Sequence, residues 1–110
     1  MNKKYIIRKN EEIQNIINNS SKKNNKYFVV YYSKNNYDYN RYCISVSKKI
    51  GKANVRNLYK RRIKDILMKN KLDISYDYVI ILRKAILDIN YNSMKEELIN
   101  ILEERKWRKK

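Results

Sequence analysis

The heptapeptide Tyr76–Leu82 (YDYVIIL) constrains the fold more than any other stretch of the chain. It is rich in β-branched and aromatic residues, which suits a strand. Beyond Asp77 it is apolar at odd and even positions alike. Alternate side chains of a strand point to opposite faces, so this run predicts a central strand, apolar on both faces.

Two further segments can pair with it. Tyr27–Tyr32 (YFVVYY) reads as a strand with Tyr27, Val29 and Tyr31 on one face and Phe28, Val30 and Tyr32 on the other. Arg41–Ser47 (RYCISVS) places Tyr42, Ile44 and Val46 on one face. The short connection 33–40 predicts an antiparallel pair, with room for an extra short strand in 36–40. Residues 10–19 form a short helix: Asn10 is a candidate N-cap, Glu11 and Glu12 suit the dipole of the first turn, and Ile13, Ile16 and Ile17 follow at helical spacing. The polar stretch Asn18 to Lys26 reads as a loop.

A second helix is predicted from Ala53 to about Asn70, with Val55, Tyr59, Ile63 and Ile66 on one stripe. Ser93-x-x-Glu96 is a capping-box pattern opening a last helix. Met94, Leu98, Ile101 and Leu102 face inward there, with Arg105, Lys106, Arg108 and Lys109 near its end. The resulting order, α-β-β-(β)-α-β-α, is an α/β (α+β) two-layer sandwich: a mixed sheet of about four strands with helices against it. At 110 residues, one domain over 1–110 is expected.

Charge narrows the function. The chain carries 27 Lys or Arg against 11 Asp or Glu, a formal charge of +16. Such an excess repels itself in the compact state and calls for a polyanionic partner. An apolar span of membrane length and a signal-peptide pattern are both missing, so a cytoplasmic protein without a membrane partner is expected. Cys43 is the only cysteine and reads as a small buried hydrophobe; it leaves no internal disulfide or multi-cysteine metal site. With no histidine, the chain lacks the side chain best suited to proton transfer near neutral pH. No catalytic residue and no protein-held metal are assigned.

The positive charge concentrates in Ser45–Lys64, S-V-S-K-K-I-G-K-A-N-V-R-N-L-Y-K-R-R-I-K, which contains no acid and straddles the only glycine. Lys48, Lys49 and Lys52 precede the helix; Arg56, Lys60 and Lys64 share one of its faces, with Asn57 and Arg61 beside them. A basic face is often merely a solvated one. Here an apolar stripe opposes it, no acid neutralises it, and backbone N–H groups at a helix start add a phosphate site. The arrangement favours nucleic-acid binding, and RNA over DNA: the chain lacks a helix-turn-helix pair and the ligands of a zinc finger, while tyrosines on a sheet suit stacking on unpaired bases. Most tyrosines can equally be core or strand-edge residues.

These residues resemble the bacterial ribonuclease P protein component. The likeness rests on S-V-S-K-K-I-G-K-A (45–53) and V-R-N-L-Y-K-R-R-I-K (55–64), supported by R-K-N-E-E-I (8–13), Y-F-V-V-Y (27–31) and D-Y-V-I-I-L-R-K (77–84) in the family's order. The resemblance implies a left-handed crossover between parallel strands around the basic helix, against the usual hand. It implies a partnership with a catalytic RNA that removes the 5′ leader of precursor tRNA. The chain would then be an accessory subunit, with the RNA holding Mg²⁺ and performing the phosphodiester hydrolysis.

By the same resemblance Arg56, Asn57, Lys60, Arg61 and Lys64 contact the RNA, with Lys48 and Lys49 near phosphates; Lys52 extends the basic patch over the turn, and Arg62 joins the RNA-binding set as a compensating cation. Ile13, Ile17 and Tyr31 line a leader-binding cleft between the first helix and the sheet, with Arg83 and Lys84 at its edge. Two departures stand out. Ile13 and Ile17 hold places where the family usually has Phe; there they serve either the leader or an ordinary core. Leu58 and Arg62 reverse the family's usual order of Arg and apolar residue, an i,i+4 exchange that keeps both groups in one patch. The alternative function is a non-catalytic ribosomal or single-strand RNA-binding protein. A stand-alone metal-dependent nuclease would need Asp38, Asp73, Asp77 and Asp88, scattered in sequence, to cluster through the fold.

Overall fold

The computed structural model describes residues 3–70, 72 and 74–108, with side chains described up to residue 103. A short 3-10 turn, Lys3–Tyr5, leads into α1 (Asn10–Asn19), β1 (Ser21–Asn24), β2 (Phe28–Lys34), β3 (Arg41–Ser45), α2 (Ala53–Lys69) and β4 (Tyr76–Leu82). A second 3-10 turn, Lys84–Asp88, precedes α3 (Tyr91–Arg108). The four strands form one mixed sheet in the order β1-β2-β4-β3.

The apolar run Tyr76–Leu82 is central, as its composition requires. β4 pairs antiparallel with β2, Val30 opposite Ile80, and parallel with β3, Ile44 opposite Ile80. This corrects one expectation: β2 and β3 are not an antiparallel pair, because β4 lies between them. A short connection does not compel pairing when a later, more apolar strand competes for both edges.

The fourth strand is also not at 36–40. It is β1, inside the stretch read as a loop, paired antiparallel with β2 through Ser21–Tyr32 and Asn24–Val29. Its sequence, SKKN, offers no apolar alternation. A short Lys-bearing strand is a common guise of a sheet edge. At the other edge, Ile6 bridges Tyr42 and the Ile7 amide donates to the Tyr42 carbonyl (2.8 Å), covering part of β3.

The main core fills one face of the sheet. Phe28, Val30, Tyr78, Ile80 and Leu82 meet Ile63, Ile66 and Leu67 of α2 and Met94, Leu98, Ile101 and Leu102 of α3. Each such side chain, fully buried, stabilises the fold by about 1.5–3 kcal/mol. The α3 inward set is as expected, but the helix begins two residues before Ser93. Its cap is Asn90, whose Oδ1 accepts from the Ser93 amide (2.9 Å). The basic side chains expected at the end of α3, Arg105, Lys106, Arg108 and Lys109, lie outside those described, as does Asp73. On the opposite sheet face, α1 seats Ile16 and, partly, Ile13 and Ile17 against Val79, Ile81, Tyr31 and Cys43. Thus α1 adds cover to the second face of the sandwich.

Candidate nucleic-acid interface

The turn into α2 is tightly built. Ile50 is buried and its amide donates to the Ser47 carbonyl (3.1 Å). A Cβ on Gly51 would stand 3.0 Å from Val55 Cβ and Cγ1, so the single glycine allows a close approach of turn and helix. Lys48, Lys49 and Lys52 are all exposed around this turn.

Along α2, Tyr59, Ile63, Ile66 and Leu67 are buried. At about 100° per residue the outward side falls near Asn57, Arg61 and Lys64. Asn54, Asn57, Lys60, Arg61 and Lys64 line one shallow concavity. The remaining cations of the helix sit on its flanks. Arg56 is half-buried, and its Nε is buried without an acceptor in the protein. Arg62 lies over the Tyr59 ring (5.4 Å to its centroid), away from the concavity residues. Leu58 is half-buried. The helix's one acid, Asp65, accepts from the Tyr91 hydroxyl (2.5 Å) and pairs with Lys69 (3.2 Å). The Tyr91 bond and Lys69 hold its carboxyl below the usual range, while the same bond pushes the Tyr91 hydroxyl up. Asp65 therefore ties α2 to α3.

The predicted cleft residues do come together. Ile13, Ile17 and Tyr31 share one apolar cluster with Ile7, Ile16, Val79, Cys43 and Ile81, the first two lying on α1 and Tyr31 on the sheet. Ile16 is the fully buried anchor of α1; Ile13 and Ile17 remain partly open on either side of it. Arg83 and Lys84 are exposed just after β4, where the Arg83 amide donates to the Tyr27 carbonyl (2.8 Å). Lys60 is near enough to Cys43 for its charge to favour the thiolate, although burial has the larger effect and pushes the thiol up.

Sequence reasoning missed two contributors. Lys22, on the unforeseen β1, lies over the Tyr31 ring (5.8 Å). Arg41 bonds Asp77 through Nε (3.0 Å) and Nη2 (2.7 Å) and reaches Glu12 of α1 (2.9 Å). The bonds to Asp77 raise the Arg41 pKa despite burial, so the guanidinium stays charged. The one polar residue of the central strand, Asp77, is the visible signal for this network: a buried carboxylate needs a paired cation. Among the described residues, no group of three or more Cys, Asp or Glu side chains could hold a metal ion, and no helix is long and apolar enough to cross a membrane.

Comparison with known proteins agrees with this arrangement. The Ribonuclease P family profile matches residues 1–106. The ribonuclease P protein component of Mycoplasma mycoides subsp. mycoides is 42% identical over 109 residues, covering 96% of this chain and 100% of that protein. The chain belongs to the ribonuclease P protein family. The Geobacillus kaustophilus ribonuclease P protein component is 40% identical over 105 residues, covering 93% of this chain and 87% of its own. The solved ribonuclease P protein of Staphylococcus aureus superposes with a TM-score of 0.84 at 33% identity, over 93% of this chain and 95% of that one. That of Thermotoga maritima gives 0.83 at 33%, over 89% and 94%. Ribonuclease P membership makes the chain a component of an RNA-processing enzyme with a role in tRNA processing.

Proposed function

We propose that this chain binds the catalytic RNA of ribonuclease P through α2 and the preceding turn, and the 5′ leader of precursor tRNA through the α1–sheet cleft. The observation that carries the reading is the cationic concavity on the outward side of α2, together with a partly apolar cleft between α1 and the other face of the sheet. Asn57, Lys60, Arg61 and Lys64 offer a row of donors to phosphates, extended by Lys48, Lys49 and Lys52. Arg56, half-buried on the flank of α2, adds its charge to this surface. Arg62 extends the cationic surface toward α3.

In the cleft, Ile13 and Ile17 supply apolar walls and Tyr31 a ring edge or face, while Lys22, Arg83 and Lys84 supply charge. Ile cannot stack as an aromatic ring does, so Tyr31 carries the stacking. Cleavage of the phosphodiester is assigned to the RNA subunit and its Mg²⁺; the protein's share is to bind, position and neutralise. The described residues offer no grouped carboxylates for that ion.

The test is cleavage of precursor tRNA by the cognate ribonuclease P RNA at low Mg²⁺, with and without the protein. Restored cleavage at the mature 5′ end supports the reading. Binding without any change in cleavage replaces it with general RNA binding. RNA cleavage by the purified protein alone would overturn the assignment of chemistry.

A further inference from the structure

We propose that Tyr37 and Tyr39 form a second stacking platform, for one unpaired RNA base, beside Arg41. The proposal rests on the RNA-binding reading and extends it to a surface that neither the basic helix nor the cleft includes.

Tyr37 is the only one of the eleven tyrosines that is exposed, at 45%. Tyr42, Tyr59, Tyr76 and Tyr78 are core residues, and the remainder are at least half-buried. Around Tyr37 the rings and cations are assembled. Tyr39 lies 5.1 Å away at 32°, and Tyr5 meets Tyr39 edge-on at 5.4 Å. The Arg41 guanidinium sits 4.8 Å from the Tyr37 centroid, and Lys4 is within 5.1 Å of both Tyr5 and Tyr39.

The loop is pinned rather than loose. Asn35 Oδ1 accepts from the Tyr37 amide (2.9 Å), and Asn35 Nδ2 donates to the Tyr39 carbonyl (3.2 Å) and to Asp77 (2.8 Å). Ser75 Oγ donates to the Tyr37 carbonyl (2.6 Å). Ser75 has φ 71°, the one positive φ on a non-glycine among the described residues. A residue persists in that conformation where its surroundings over-determine it, so strain is accepted here to hold the loop.

An exposed ring on a fixed loop offers a π-face for a base; the Arg41 guanidinium against it is already paired with Asp77 and Glu12, so positive charge for a phosphate comes from the exposed lysines nearby. Lys3 and Lys34 are exposed nearby in sequence, and Asp38 is the only acid from Ser33 to Arg41. That balance favours a polyanion over a protein partner.

The experiment uses the full chain and fluorescence anisotropy with a ten-nucleotide oligoadenylate and a fully abasic oligomer of the same length. Tyr37→Leu should weaken oligoadenylate binding about tenfold, as stacking on one ring implies, and leave its salt slope unchanged, since no charge is removed. Tyr37→Phe should retain affinity, and the abasic oligomer should bind wild type and Tyr37→Leu alike. Equal binding of oligoadenylate by wild type and Tyr37→Leu overturns the platform but leaves the RNA-binding reading standing. Equal losses from Leu and Phe would assign the effect to the hydroxyl and also overturn it. Failure of the wild-type chain to bind either oligomer overturns both. Cross-linking of a 4-thiouridine oligomer to the wild-type chain needs no variant: a cross-link within residues 35–41 supports the platform, and cross-links confined elsewhere overturn it.

Discussion

At the scale of single residues, the basic helix depends on how few atoms occupy the turn before it. Gly51→Ala places a methyl group at 3.0 Å from Val55. Overpacking of this kind costs about 1 kcal/mol or more, which lowers Tm by roughly 4–8 °C in a domain of this size; an unchanged melt would mean that the turn yields freely. Lys60→Ala and Arg61→Ala should each reduce the salt slope of RNA binding by about 0.7–0.9, one phosphate's worth. An unchanged slope in both would remove this face as the phosphate contact. The Leu58–Arg62 reversal makes its own claim. Arg62→Ala should weaken RNA binding and the Leu58→Arg, Arg62→Leu exchange should be tolerated; an inert Arg62→Ala removes the idea. The cations of α2 were readable from their spacing, because helical period fixes direction. That Arg62 rests on Tyr59 and Asp65 reaches Tyr91 was not, since both depend on where α3 docks.

Between elements, packing is mostly apolar and the polar ties are few. Arg41 links Glu12 of α1 to Asp77 of the central strand, and its side chain is only 14% exposed. Arg41→Ala strands a carboxylate beneath α1 and should cost about 3 kcal/mol, the low end for breaking a buried pair; a denaturant midpoint equal to wild type would contradict it. The α2–α3 tie has a pH signature. The folded Asp65 carboxyl titrates below its unfolded value near pH 4. Its contribution is therefore fully present above about pH 4 and is lost as pH falls through the depressed folded value. Tyr91→Phe should lower Tm at pH 7 by more than at strongly acid pH; a constant difference would show that the carboxylate is not what the hydroxyl binds. Element positions were legible wherever apolar period was strong, as in α2 and β4. The strand β1 was not, because an edge needs only backbone partners and its SKKN sequence carries no pattern.

For the molecule as a whole, the main misjudgement concerned neighbours rather than elements. Sequence proximity suggested pairing β2 with β3, yet the most apolar strand took the place between them. Consider a chain emerging from the ribosome one residue at a time. The β1–β2 pair can close early, but β3 has no strand beside it until residues 76–82 arrive. Two hydrophobic strands must wait, one edge of each unsatisfied, through the synthesis of an entire cationic helix. The last strand to appear is the one both are waiting for. A truncation before Tyr76 thus removes the middle of the sheet rather than its rim, and such fragments should be caught by proteases or chaperones instead of persisting as smaller folded versions. On vectorial synthesis the sheet is therefore expected to close only once β4 has emerged, and the core only once α3 follows it.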